Sequence, residues 1–328
     1  KKEITFKIYS TMEQKKKVLA VLGPTASGKT ALAIALARRL SGEVISNDSM
    51  QIYKGMTIGT AAPTREEMGE IPHHMIGAVP PGAAFSCADY AAMATPITEE
   101  VLARGKLPIF CGGTGLYLDA VLYGDGLSQS TKNPAVRAAF EKVAQEHGTD
   151  VLHGLLAAVD PASAAEIHPN NVRRVIRALE IYETTGVPKS QFDGLTPTST
   201  AKYNCARIVL TFSSRELLYA RIDRRVENML KAGLIEEARR LYEDGLLGGD
   251  APAAQAIGYK ELLPYFAGES TLEAATQAIC QNTRRYAKRQ MTWFRRYKDA
   301  HIVYVDEDGQ MRPTKALVQE LCTTLCLP

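Results

Sequence analysis

Val18-Leu19-Ala20-Val21-Leu22-Gly23-Pro24-Thr25-Ala26-Ser27-Gly28-Lys29-Thr30-Ala31-Leu32-Ala33-Ile34-Ala35-Leu36-Ala37 is the stretch whose reading decides the fold. Its first five residues form an apolar run that reads as a buried strand. The residues after Thr30 are rich in helix formers and continue to Leu40. Between them, Gly23 to Thr30 satisfies G-x-x-x-x-G-K-[ST]. Strand, glycine loop and helix are in the order a phosphate cradle needs. Gly23 and Gly28 let the backbone turn its N–H groups toward an anion, and the positive end of the following helix adds to the attraction. Lys29 would reach the terminal phosphate, and Thr30 would offer its hydroxyl to a magnesium ion. The fold class that follows is α/β, a P-loop NTPase-like parallel sheet core.

Whose phosphate the loop holds is a separate question. A nucleoside triphosphatase also wants an Asp at the end of an apolar strand to anchor magnesium. The apolar run 107–111 ends instead in Gly112-Gly113-Thr114-Gly115, and the run 207–212 ends in Ser213-Ser214. Only Ile302-Val303-Tyr304-Val305-Asp306 has the form, and there a terminal edge strand is the plainer reading. No N-K-x-D guanine-reading motif occurs. Phosphate binding is supported, and nucleotide hydrolysis is not.

At 328 residues the chain can bury a substantial core, and its 45% hydrophobic and 23% charged residues are ordinary for a soluble globular protein. The net charge of +3 is small, so any nucleic-acid surface must come from local clustering. Six cysteines are scattered without a C-x-x-C or a zinc spacing, which points to reduced thiols in a cytoplasmic protein. No apolar run is long enough for a membrane span or a signal peptide, so no membrane partner is expected. A monomer is expected. Residues 1–11 read as an expression scar or an extension ahead of Met12.

Along the chain, Glu43-Val44-Ile45-Ser46 is a strand candidate running into Asn47-Asp48-Ser49-Met50-Gln51. At the carboxyl end of a strand Asp48 can be a functional carboxylate facing the phosphate loop or a turn-capping Asp. Pro72-His73-His74 lacks a third ligand nearby and reads as a structural loop. A helix over 85–104 leads to the strand 107–111, and Thr114 places a hydroxyl beside a third strand end. From 128 to 203 the pattern changes to helices alone, a helical insertion domain that would act as a lid or RNA clamp. There Val172, Val175, Ile176, Leu179 and Tyr182 make an apolar stripe ended by Gly186, with Arg173, Arg174 and Arg177 projecting from other positions. Residues 195–202 are the return linker. The expected division is a first core part over 12–127, the insertion over 128–203 and a second core part over 204–328.

After the strand 208–212, Ser213 with Glu216 reads as a capping box for a helix that buries Leu218, Ile222, Val226 and Met229, leaving Arg221, Arg224 and Arg225 elsewhere. Gly233 breaks it, a second helix covers 235–242, and Gln255-Ala256-Ile257-Gly258-Tyr259-Lys260 opens a third. Ser270 with Glu273 caps a final long helix running to about Lys298. Its latter half interleaves Arg284, Arg285, Lys288, Arg289, Arg295 and Arg296 with Tyr286, Trp293 and Tyr297. The aromatics recur at helical spacing and read as core. The cations suit phosphate contacts along a folded RNA.

Gly23 to Thr30, Asp48-Ser49-Met50-Gln51, Ile58-Gly59-Thr60-Ala61, His73-His74, Cys111 to Tyr117, Arg173 to Glu180, Gln255 to Tyr259 and Ala287 to Phe294 together resemble one family, the tRNA dimethylallyltransferases, also called tRNA isopentenyltransferases. The match spans nearly the whole chain from Val18 onward, and the lack of a Cys/His zinc finger makes it resemble the bacterial form. It departs at Asn171-Val172-Arg173, where relatives commonly show an acidic residue and then Gln. The resemblance implies that Gly23, Pro24, Thr25, Ala26, Ser27, Gly28, Lys29 and Thr30 hold the diphosphate of dimethylallyl diphosphate, with magnesium at Thr30. It implies transfer of the prenyl group to the exocyclic amine of the adenine 3′ to the anticodon, with Asp48 as base, Arg225 on the departing diphosphate and Thr114 positioning the reacting groups. It places the tRNA anticodon stem-loop on Asp48, Ser49, Met50, Gln51, Arg137, Arg173, Arg174, Val175, Ile176, Arg177, Gln255, Gly258, Lys260, Lys288, Arg289, Gln290, Trp293 and Arg295. The competing readings are a small-molecule P-loop kinase using ATP, a non-catalytic RNA-binding protein, and prenyl transfer to a free adenine nucleotide.

Overall fold

The computed structural model describes residues 15–124, 133–191, 201–248 and 252–325. Its centre is a six-stranded sheet containing β1 (Lys17–Leu22), β2 (Gly42–Ser46), β3 (His73–His74), β4 (Leu107–Gly112), β5 (Asn204–Thr211) and β6 (His301–Tyr304), in the order β3-β2-β4-β1-β5-β6 with every pair parallel. β1 lies between β4 and β5, with Leu22 in register with Gly112 and Val209. That position explains its unbroken apolar run. Val18, Ala20 and Leu22 enter one core cluster, while Leu19 and Val21 enter the cluster on the opposite face.

Helix α1 (Lys29–Leu40) follows the phosphate loop directly and buries Leu32, Ala33, Leu36 and Ala37 against the sheet. The short α2 (Arg65–Met68) precedes β3. His73 and His74 belong to this edge strand rather than to a loop, because the ladder beside Val44 and Ile45 captures them. His74 Nε2 also lies 2.7 Å from the Glu43 carboxylate, a packing reason for the histidine that needs no metal. Helix α3 (Cys87–Ala103) leads into β4, and α4 (Gly115–Tyr123) starts straight after the glycine turn.

The chain divides into two compact units, one of residues 1–122 and 202–328 and the other of residues 123–201. In the second, α5 (Pro134–His147), α6 (Thr149–Val159), α7 (Pro161–Glu166) and α8 (Val172–Thr185) pack around Leu152, Leu156, Val175, Ile176 and Leu179, and Gly186 ends α8 in the left-handed conformation. The expected start at 128 and most of the return linker 195–202 lie outside the described residues.

Helix α9 (Arg215–Lys231) buries Leu218, Ile222, Val226 and Met229, as its pattern requires, and Gly233 separates it from α10 (Leu234–Glu243). Its cap differs from the expected Ser213 box. Ser214 accepts the Leu217 amide, because Ser213 is taken by Asp306. The stretch 255–260 does not open a helix. Gly258 takes φ +100°, and two short 3₁₀ turns, Pro252–Gln255 and Lys260–Leu262, lead into the one-turn α11 (Leu263–Phe266). Thr271, not Ser270, caps α12 (Leu272–Phe294), which stops four residues short of Lys298. A two-stranded ribbon, β7 (Asp306–Glu307) with β8 (Gln310–Met311), and α13 (Thr314–Thr324) complete the chain. Asp306 accepts from the Ser213 amide at 2.8 Å, the Ser213 hydroxyl at 2.7 Å and the Ser214 amide at 2.8 Å. Those bonds dedicate it to tying down the end of β5. Among the described residues no helix is long and apolar enough to cross a membrane.

Candidate active site

The carboxyl ends of β1, β2 and β4 point to one edge of the sheet, so the segments that follow them converge. After β1 comes the phosphate loop, in which Gly28 takes φ +86° and Ala26 φ +63°. Three side chains hold this backbone. Lys29 Nζ donates to Pro24 O at 2.7 Å, Arg221 Nε on α9 donates to Ala26 O at 2.8 Å, and the Thr25 amide donates to Gln290 Oε1 on α12 at 2.9 Å.

After β2, Asp48 Oδ1 accepts the Met50 amide at 2.9 Å and the Gln51 amide at 3.3 Å, so the side chain caps its own turn. The turn and carboxylate readings of Asp48 are therefore compatible, since the residue caps its turn through Oδ1 and also lines the cavity. After β4, Thr114 Oγ1 accepts the Ser49 amide at 3.1 Å. Thr114 thus acts on the Asp48 turn and is not part of the cavity wall formed by Gly112 and Cys111.

These segments enclose a cavity of about 230 Å³. Thr25, Lys29, Thr30 and Arg225 line it and supply its cationic side chains, and Asp48, Ser49 and Gln51 line it as well. Val226, Met229, Ile257 and Ile279 supply apolar wall, and Tyr286, Arg289 and Gln290 enter from α12. Burial pushes the Lys29 ammonium down to about 8; the Arg225 charge acts in the same direction, and the Asp48 carboxylate opposes it. Burial also lowers the Arg225 guanidinium, again opposed by Asp48. Two cations in a desolvated pocket beside one carboxylate are poised for a polyanion.

Arg225 Nη2 donates to Thr60 O at 3.2 Å, and Gln51 Nε2 reaches Thr60 O and Ala61 O. Their loop is pinned from behind by buried Glu237, which accepts the amides of Thr57, Ile58 and Gly59 and the Tyr259 hydroxyl.

Several residues expected on an RNA surface are placed otherwise. Val175 and Ile176 are 0% and 3% exposed in the core of the helical unit, where their apolar side chains hold α8 down. Gln290 is 4% exposed, with its amide oxygen on Thr25 N and its amide nitrogen 3.2 Å from Gly113 O. Arg137 and Arg177 both bond the buried Glu180 carboxylate at 2.8 Å. Arg284 pairs with Asp223, and Trp293 donates to the Tyr297 hydroxyl. Gly258 is buried with its amide committed to Glu261, and it lines the cavity together with Met50, Gln255 and Lys260. Arg137, even while paired with Glu180, and Arg173, Arg174, Lys288, Arg289 and Arg295 remain exposed. Sequence reasoning missed Arg221 as a loop clasp and Tyr286 as a cavity residue. Tyr286 lies four residues before Gln290, a spacing that puts both on one helix face and could have flagged it.

The family described as IPP transferase matches residues 51–297, and that described as isopentenyl transferase matches residues 16–75. The tRNA dimethylallyltransferase of Geobacillus kaustophilus is 52% identical over 294 residues, covering 90% of this chain and 92% of that protein. The Bacillus subtilis enzyme of the same name is 49% identical, with 86% and 88% covered. Among solved structures, the full-length tRNA isopentenylpyrophosphate transferase from Bacillus halodurans superposes with a TM-score of 0.67 at 44% identity, covering 94% of this chain and 97% of that one. A eukaryotic dimethylallyltransferase acting on tRNA superposes with a TM-score of 0.77 at 31% identity, covering 94% and 78%.

Proposed function

The chain belongs to the IPP transferase family, and from that premise we propose how its cavity carries out the family's reaction. The enzyme transfers the dimethylallyl group of dimethylallyl diphosphate to the exocyclic amine of the adenine on the 3′ side of the anticodon in tRNA, releasing diphosphate. The kinase reading is disfavoured by these relatives and by the commitment of Asp306 to Ser213 and Ser214.

The adenine amine is a poor nucleophile because its lone pair is delocalised into the ring. As its nitrogen forms a bond to the allylic carbon, the carbon–oxygen bond breaks and that electron pair leaves with the diphosphate. The amine proton passes to the Asp48 carboxylate, whose Oδ1 is held by the Met50 and Gln51 amides. Lys29 and Arg225, which line the same cavity, would neutralise the charge that builds on the leaving group. Thr114 keeps the Asp48 turn in place through Ser49. The apolar wall of Val226, Met229 and Ile279 suits the prenyl tail.

Thr30, whose side chain lines the cavity beside Lys29, is the oxygen donor that fits magnesium here. No cluster of three or more His, Cys, Asp or Glu ligands exists among the described residues, and a hard cation that keeps its waters and completes its shell on diphosphate needs none. When bound, it would neutralise charge on the departing diphosphate. The adenine must leave its stack, at a cost of a few kcal/mol. Binding through Arg173, Arg174, Lys288, Arg289 and Arg295 offsets this. The enzyme would act as a monomer in the cytoplasm, where tRNA resides.

The observation that carries this reading is one cavity shared by Lys29 of the phosphate loop, Arg225 and the Asp48 carboxylate. In single-turnover assays with tRNA and dimethylallyl diphosphate, Asp48→Asn lowers the transfer rate by about 10²-fold or more and leaves tRNA affinity within a few fold, because an amide cannot take the proton. Equal rates would remove Asp48 from the base role.

A further inference from the structure

Helix α12 carries cations on its exposed side, which makes every polar residue of its Lys288-to-Arg295 stretch a candidate RNA contact. Gln290 does not fit that role. Its side chain points inward, is 4% exposed, and spends its amide on two different loops. The oxygen accepts from Thr25 N in the phosphate loop at 2.9 Å, and the nitrogen donates to Gly113 O in the turn after β4 at 3.2 Å. Gly113 is the residue that admits this approach, since a Cβ there would lie 1.8 Å from Gln290 Nε2.

Each loop belongs to one half of the reaction. Thr25 belongs to the phosphate loop and lines the cavity. Gly113 is joined to Thr114, whose hydroxyl accepts from Ser49, the neighbour of Asp48. We propose that Gln290 is a positioning residue for the transfer, a single amide that sets the spacing between the phosphate loop and the turn supporting Asp48. The proposal rests on the transferase reading above and goes beyond it, because it assigns Gln290 to registering donor against acceptor rather than to holding tRNA.

The physical basis is the steep dependence of a bimolecular displacement on approach geometry, where a misplacement of about 1 Å costs on the order of 10²-fold. The group must be planar and neutral with one acceptor and one donor, because the Thr25 amide needs an acceptor and the Gly113 carbonyl needs a donor. Methionine at this position keeps the length and loses both bonds. Glutamate keeps the acceptor and, while ionised, sets a carboxylate oxygen against the Gly113 carbonyl. Once protonated, it can donate to Gly113 and accept from Thr25, as the glutamine does.

The test measures single-turnover rate, KM for dimethylallyl diphosphate and tRNA affinity for wild type, Gln290→Met and Gln290→Glu. The expected result for Gln290→Met is a rate lowered about 10- to 100-fold, with tRNA affinity and its salt dependence unchanged. For Gln290→Glu, the rate relative to wild type at the same pH should rise as pH falls, because protonation restores the donor. Taking the ratio removes any pH dependence common to the two enzymes. Should Gln290→Met not fold, the pH dependence of that ratio still decides the matter. A flat ratio overturns the proposal, as does a Gln290→Met enzyme with wild-type rate and weakened tRNA binding. A wild-type enzyme that binds both substrates and transfers nothing overturns the reaction reading itself, and is seen before any variant is made.

Discussion

Lys29 shows how a motif residue acquires properties that its motif does not state. The pattern G-x-x-x-x-G-K-T is enough to place an ammonium by a phosphate, but burial and the Arg225 charge push that ammonium down to about 8. A depressed base loses its proton as pH rises, so donor binding should be intact below this value and weaken above it. KM for dimethylallyl diphosphate should therefore climb by up to about tenfold per pH unit above pH 8 in the wild type. Lys29→Arg, whose guanidinium stays charged throughout, should show no such climb beyond the titration of the diphosphate. Parallel pH profiles of KM for the two enzymes would show that Lys29 does not titrate there. Lys29, Thr30 and Asp48 were legible because each sits in a contiguous motif at a strand end. Arg221 was not, and Gln290 was read as an RNA contact rather than a bridge, because their partners lie far away in the chain: Arg221 with Ala26, and Gln290 with both Thr25 and Gly113.

Among the elements, α12 carries two functions on opposite faces. Ala275, Ile279, Thr283, Ala287, Gln290 and Phe294 face inward, while Lys288 and Arg295 are exposed. The dense cations that suggested an RNA surface therefore divide. Arg284 is paired with Asp223, Arg285 reaches the Asn282 side chain, Arg289 lines the cavity over the Tyr286 ring and Arg296 lies over the Trp293 ring, which leaves Lys288 and Arg295 as the clean probes. Lys288→Ala with Arg295→Ala should weaken tRNA binding and flatten the slope of log affinity against log salt by about one to two units, since each phosphate contact contributes about 0.7 to 0.9. The saturated single-turnover rate should survive. A salt series of tRNA affinities checks both, and an unchanged slope would move the RNA surface to Arg173 and Arg174. Helix existence was legible from periodicity, but the caps were misplaced by one residue at Ser214 and Thr271. A hydroxyl beside a helix start looks the same in sequence whether it caps the helix or, like Ser213, bonds a distant Asp306.

For the whole molecule, two compact units imply two cores that can be perturbed separately. Leu179 is 2% exposed in the helical unit, so Leu179→Ala should cost that unit about 2–5 kcal/mol. Calorimetry should show a transition moved to lower temperature, and binding of dimethylallyl diphosphate, whose cavity is built wholly from the other unit, should remain. Loss of donor binding in parallel would mean that the two units fold as one. The sequence by itself determined the α/β class and the phosphate-loop motif, because local pattern and contiguous chemistry carry them, and its resemblance to a family supplied the reaction. Tertiary structure alone decided that Asp306 ties β5, that His73 and His74 form an edge strand, that Val175 and Ile176 are core and that Gln290 bridges two loops. Each of those outcomes depends on which distant group arrives to take a hydrogen bond or exclude water, and spacing along a chain does not encode that.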